Sequence, residues 1–195
     1  MKKNRKKNLL RKQPPLEREI KPGPRRGLLI VNTGHGKGKT TAALGLLFRA
    51  LGRDFKAIML QFIKSKKHIY GEHIMAERLG IEIRPLGDGF TWESKNIEHD
   101  KSLAEECWRE CRDVIESGGH DIVILDELTY PLKYGWLSTE KVLEVLQNRN
   151  KNMHIVVTGR DAPKELIEAA DLVSDIQVIK HPFKSGVRAQ LGIEM

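Results

Sequence analysis

The sequence predicts an α/β domain, a mostly parallel sheet with helices on both faces. Three observations predict it. Short apolar runs of strand length alternate with stretches of helical period from Gly27 onward. Several of the runs have unbroken apolar centres, "IVIL" within "DIVILDE" above all, as strands buried on both faces do. The first run leads into a glycine-rich turn that opens directly into a helix.

The elements follow in order. "GLLIVNT" (Gly27 to Thr33) reads as the first strand. "KTTAALGLLFRALG" continues as a helix, with Ala42, Ala43, Leu46, Leu47 and Ala50 at helical spacing and Gly52 at its end. "KAIMLQF" is a buried strand, "GEHIMAERLG" a short helix and "IEIRPL" another strand. "GDGFTW" interrupts with two glycines and two aromatics. A long helix is predicted over 97–117, with Leu103, Cys107, Cys111, Val114 and Ile115 as its apolar stripe and Trp108 beside it. Cys107 and Cys111 stand four apart without further ligands at suitable spacing, so core packing is expected rather than a metal pair. "DIVILDE" (Asp121 to Glu127) is a fully buried strand. "STEKVLEVLQNR" starts a helix at Ser138, with Lys141 where a full capping box would have Glu. "MHIVVTG" is a strand, "APKELIEAA" a short helix with Pro163 near its start, and "DIQVIK" the last strand. No internal repeat is visible.

At 195 residues the chain suits one domain with a real core. Its formal charge of +8 suggests nucleic acid until the distribution is read. Residues 1–26 hold eleven Lys or Arg against Glu17 and Glu19, so residues 27–195 are nearly neutral. The organisation expected is a basic, flexible arm over 1–26 followed by one folded domain over 27–195. The arm lacks the apolar core of a signal peptide and the Ser/Arg bias of a transit peptide. No stretch approaches the ~18 apolar residues of a membrane span. Two cysteines suit a reducing cytoplasm. No membrane and no nucleic-acid partner are expected.

"TGHGKGKTT" is a phosphate-binding loop. A strand turning sharply into a helix must aim backbone N–H groups at an anion, and Gly34, Gly36 and Gly38 permit the angles and the close approach. Lys39 adds a point charge, and Thr40, followed by Thr41, offers a hydroxyl to Mg²⁺. The pattern G-x-x-x-x-G-K-[ST] would put its first glycine at Thr33. Here it comes one residue later, at Gly34, and the loop also carries His35 and an extra Lys37. The fold is therefore P-loop NTPase-like. "VILDE" supplies the second half: a hydrophobic strand ending in Asp126 and Glu127 can place a carboxylate beside the loop's Mg²⁺. Adjacent on an extended strand, the two acids point to opposite sides.

A P-loop does not say which bond of the nucleotide breaks. Three further stretches speak to that: "GDGFTW", "DELTYPLKYGWL" and "VTGRDAP…KHPFKSGVRAQLGIE". Together with "TGHGKGKTTAALG" and "QFIK", they closely resemble the P-loop family of ATP:corrinoid adenosyltransferases, which make adenosylcobalamin. The resemblance runs from about Gly27 to Glu194. It implies that reduced cobalt attacks the ribose C5′ of ATP and that inorganic triphosphate leaves. The nucleotide is then held in the reverse of the usual sense, with Lys37, Lys39, Mg²⁺ and the loop amides stabilising the departing charge. By position, Gly34, His35, Gly36, Lys37, Gly38, Lys39, Thr40 and Thr41 hold the phosphates, and Thr40, Glu127 and Asp126 serve Mg²⁺. Phe90 and Trp92 match the aromatics that exclude the corrinoid's lower axial ligand. The resemblance also implies a flavin-dependent electron donor and a homodimer.

His35 sits where the family often has Asn, and Pro182 where other members have a small residue. His181 is a candidate substrate contact, though a lone histidine is more often structural, while His68 and His73 fit no metal-ligand pattern. A rival reading uses the same loop for an ATP-driven switch or nucleic-acid-linked motor, with Glu127 as general base. The near-neutral body counts against it.

Overall fold

A computed structural model describes residues 23–89 and 97–194. Among them, six parallel strands form one sheet: β1 (Leu29–Thr33), β2 (Ala57–Ser65), β3 (Glu82–Gly87), β4 (Ile122–Asp126), β5 (His154–Thr158) and β6 (Leu172–Asp175). Their spatial order is β3-β2-β4-β5-β1-β6. All neighbouring pairs are parallel, so every strand's carboxyl end lies along one edge of the sheet. Ligands of open α/β sheets bind along that edge.

Strand periodicity divides the core. Leu29, Val31, Ile58, Leu60, Val123, Leu125, Ile155 and Val157 face one side and Ile30, Met59, Ile122, Ile124 and Val156 the other. The first set packs with α3 (Ile97–Ser117), α5 (Thr139–Asn148) and α6 (Lys164–Ala169). The second set packs on α1 (Lys39–Leu51) through Ala43, Leu47 and Ala50. Helices thus cover both faces, as the unbroken apolar runs require. α2 (Gly71–Leu79) packs on edge strand β3, which tolerates Pro85 because an edge strand has ladder positions with no partner. A short α4 (Thr129–Lys133) follows β4 directly.

Most predicted elements are present. Cys107 and Cys111 lie on the buried stripe of α3 with Ala104 and Ile115, and Ser138 caps α5 by accepting the Lys141 N–H at 3.3 Å. In α1, Ala42 of the expected stripe is exposed, while Lys39 is buried. α4 was not predicted, since Pro131 and the aromatics around it hide its period. The last strand is Leu172–Asp175, starting three residues before "DIQVIK" and ending on its first residue. The reason is its partner: among the described residues β6 pairs only with β1, from Ile30↔Leu172 to Thr33↔Asp175, and β1 ends at Thr33 to become the phosphate loop. Beyond Asp175 no ladder remains to extend.

Candidate active site

The loop after β1 is shaped by close approach. The Gly36 N–H donates to the Ile176 carbonyl at 2.6 Å, and a Cβ on Gly36 would lie 2.6 Å from that same oxygen. Gly34 meets Asp175 and Ile176 more tightly still and has φ +99°. Gly38 has open space around it but φ +117°, a conformation that only glycine adopts readily. The Lys39 ammonium is buried in the loop and donates to the Gly36 carbonyl at 2.7 Å. Burial lowers its pKa, and the nearby Glu127 carboxyl partly offsets that.

The acids of β4 meet the loop across β5. Thr40 donates its hydroxyl proton to Asp126 Oδ1 at 2.9 Å, Thr158 donates to the same oxygen at 2.7 Å, and Gln61 Nε2 donates to Oδ2 at 3.2 Å. Asp126 is almost wholly buried, and three donors satisfy it. The strand ends there. Glu127 adopts φ +64°, and its N–H donates to Thr158 Oγ1 at 3.0 Å. The turn sends Glu127 into the cavity that Thr40 and Lys39 line, while Asp126 stays buried behind Thr40. Its Oε2 is buried with no hydrogen-bond partner among the described residues. Burial, with Asp126 adding to it, pushes the Glu127 carboxyl up to about 7.

The cavity has a volume of about 900 Å³. Its polar end holds residues 36–41, Lys64, Glu127, Tyr130 and Arg160; its other wall is apolar, with Leu44, Phe48, Met75 and Leu79 from α1 and α2. Gly192, Ile193 and Glu194 close one margin, and Glu194 pairs with Lys37 at 2.5 Å. The structure therefore brings together Gly36, Lys37, Gly38, Lys39, Thr40, Thr41 and Glu127. Gly34 and Asp126 stand behind them as support.

His35 turns to a different partner. Its Nε2 lies 3.0 Å from Asp161, which also accepts from Lys133 at 2.7 Å, and the ring is largely exposed. His181 accepts the Phe183 N–H on its Nδ1 at 3.1 Å and so opens the 3₁₀ turn Pro182–Ser185. Phe90 and Trp92 lie outside the described residues.

Sequence reasoning passed over Lys64, Tyr130 and Arg160. A signal for Arg160 exists in "TGR" at the end of a buried strand: Gly159, at φ +137°, sits where a Cβ would fall 2.0 Å from Thr129 Oγ1. That Thr129 hydroxyl in turn donates to the Arg160 carbonyl at 2.7 Å.

The donor set fits Mg²⁺. It offers a hydroxyl, a carboxylate and an unpartnered carboxyl oxygen, all hard oxygen ligands. No group of three or more His, Cys, Asp or Glu that could cage a metal occurs among the described residues. Mg²⁺ is usually held by one or two carboxylates together with substrate phosphates and water.

Comparison with known proteins completes the description. The model of the family "ATP:corrinoid adenosyltransferase BtuR/CobO/CobP" matches residues 25–195. The chain belongs to that family. Its relatives include the corrinoid adenosyltransferase of Escherichia coli K12, 40% identical over 169 residues that cover 87% of this chain and 86% of the relative. The Pseudomonas aeruginosa corrinoid adenosyltransferase is also 40% identical, over 87% of this chain and 84% of its own length. The chain is accordingly a transferase, moving the adenosyl group of ATP to a corrinoid in adenosylcobalamin formation. Among solved structures, the flagellar accessory protein FlaH of Methanocaldococcus jannaschii matches with TM-score 0.51 at 10% identity, over 78% of this chain and 72% of that one. At that identity the likeness shows a shared fold.

Proposed function

We propose that this corrinoid adenosyltransferase anchors the triphosphate of ATP on residues 34–41 and leaves C5′ exposed to the corrinoid. The observation that carries the reading is the cavity, cationic and hydrogen-bonding at the loop end and apolar along the α1–α2 wall. A phosphoryl-transfer enzyme must present the terminal phosphate; here that end of the nucleotide can stay buried in the loop. The electron pair of Co(I) forms the Co–C5′ bond, the C5′–O bond breaks, and its pair leaves on the triphosphate oxygen.

The leaving oxygen gathers charge as the bond breaks. Lys39, Lys37 and the loop amides stabilise that charge, with Arg160 and Lys64 close by in the same cavity. When bound, Mg²⁺ would neutralise further phosphate charge. Thr40 would hold it through its oxygen lone pairs, since its proton is already given to Asp126. Glu127, the acid with an unpartnered oxygen, is the nearer carboxyl ligand, and Asp126 acts from behind Thr40.

Phe90 and Trp92 are assigned to the corrinoid side, where an apolar wedge blocks the lower axial ligand and makes Co(II) reducible. A flavin-dependent donor supplies that electron. Homodimerisation is supported by the apolar side chains Leu172 and Val173, exposed on edge strand β6, together with the exposed Phe183 and Leu191. A cytoplasmic setting accords with two free, buried cysteines. Among the described residues no helix is long and apolar enough to cross a membrane.

The deciding experiment follows the products. With Mg-ATP, a corrinoid and a strong reductant under anaerobic conditions, a photolabile Co–C bond and intact triphosphate should form together. Release of phosphate without alkylated corrinoid would overturn the reading in favour of an ATPase. Phe90→Ala and Trp92→Ala should bind ATP normally and lose activity from Co(II), with much of the rate restored from prepared Co(I). Equal loss from both starting states, with weakened ATP binding, would make the aromatics part of the fold instead.

A further inference from the structure

One chain of hydrogen bonds, buried at Gln61 and Asp126, leaves the Thr40–Asp126 pair in the direction of α2, and neither the phosphate loop nor the acids account for it. Gln61 lies on β2 directly in register with Asp126 and is fully buried. Its Nε2 donates to Asp126 Oδ2 at 3.2 Å, and its Oε1 faces His73 Nε2 at 2.7 Å. His73 belongs to the first turn of α2. Its Nδ1 accepts the backbone N–H of Tyr70 at 3.3 Å. An imidazole nitrogen that accepts has no proton, so the ring proton of neutral His73 is on Nε2 and is donated to Gln61.

The consequence is directional. With its carbonyl oxygen engaged by the His73 N–H, Gln61 must turn its NH₂ toward Asp126. The reverse orientation would set an amide oxygen against a buried carboxylate, and a buried group without a proper partner is costly. Asp126 is thereby held with Oδ1 toward Thr40, where it accepts the hydroxyl proton and leaves the Thr40 lone pairs free. The chain Tyr70–His73–Gln61–Asp126–Thr40 spans α2, β2, β4 and α1.

We propose that His73 is a positioning residue for the cation site, acting through the orientation of Gln61 on Asp126 and so on the Thr40 hydroxyl. This rests on the reading of Thr40 as an Mg²⁺ ligand. Desolvation and the nearby Lys64 hold the His73 pKa below its ordinary value, which keeps the ring in the neutral form the chain requires.

The test separates the two nitrogens. His73→Asn keeps an acceptor near the Nδ1 position for the Tyr70 N–H but has nothing to donate at the Nε2 position. His73→Gln places an amide N–H near Nε2. ATP binding is measured by calorimetry over a range of Mg²⁺ concentrations, and again with the metal chelated; thermal melts check that both variants fold.

The expected result is that His73→Asn raises the Mg²⁺ concentration needed for half-maximal ATP binding by about three- to tenfold, the worth of one intramolecular hydrogen bond. Binding without metal should stay at the parental level, and His73→Gln should restore the Mg²⁺ response. An unchanged response in His73→Asn, or equal weakening with and without metal, would overturn the positioning role. So would a loss of the response in both variants. If the parent itself binds ATP without regard to Mg²⁺, the cation reading of Thr40 falls as well.

Discussion

Glu127 combines a left-handed backbone with a buried, unpartnered carboxyl oxygen, and both features cost stability. Burial raises its pKa to about 7. In the unfolded chain the group titrates in the ordinary carboxylate range. Between that range and pH 7 the native state holds the extra proton, so stability falls as pH rises. Glu127→Gln removes this dependence. In the absence of nucleotide and metal, the variant should gain up to about 3 kcal/mol over the parent at pH 8, and the gain should vanish near pH 4. Urea unfolding at the two pH values checks this; an equal gain at both would mean a packing effect. Lys39 and Thr40 act on the reaction by different routes. Lys39→Ala should lower turnover about a hundredfold, roughly 3 kcal/mol of transition-state stabilisation, and weaken ATP binding too. Thr40→Ala should chiefly alter the Mg²⁺ dependence of the rate. Parental rates at limiting ATP in both variants would show the site to be misassigned.

At the scale of elements, the phosphate loop and the segment after β6 form one unit. The Gly36 N–H and the space where its Cβ would lie both belong to the Ile176 carbonyl. A side chain there can be relieved only by breaking that hydrogen bond. Gly36→Ala should therefore cost about 2–3 kcal/mol of stability and weaken ATP binding. Gly45 makes the contrast. It lies inside α1, exposed, with open space where a Cβ would go. Gly45→Ala should stabilise by about 0.5–1 kcal/mol through helix propensity alone and leave ATP binding unchanged. Thermal melts and calorimetry on the pair check both, and a matching loss in the two would remove the special role of the loop contact. The loop itself was plain in "TGHGKGKTT", because its chemistry is contiguous in sequence. Its packing against Ile176 was not, because that contact joins residues 140 positions apart.

For the molecule as a whole, charge is segregated: the basic residues crowd 1–26, and the rest is nearly neutral. The contacts described above are made by residues 23–89 and 97–194. Deleting residues 1–20 removes none of them, so the midpoint of thermal unfolding should stay where it is. A large drop would mean that the deleted stretch packs on the domain. What the sequence determined by itself was what is local or periodic. It specified the parallel α/β class through buried runs, the loop through its glycines and lysines, the acids at the end of "VILDE", and the family through motifs in order. Tertiary structure decided what depends on several strands ending along one edge. β5 stands between β1 and β4, so Thr158 can bridge Asp126 and the Glu127 amide. The left-handed turn at Glu127 brings the second acid to the cavity, and β6 stops where its partner β1 becomes the loop. Gln61 reaches Asp126 because β2 and β4 are neighbours in register, and His73 reaches Gln61 because α2 begins beside it. Such pairings arise from strand order and register, which no local pattern of residues encodes.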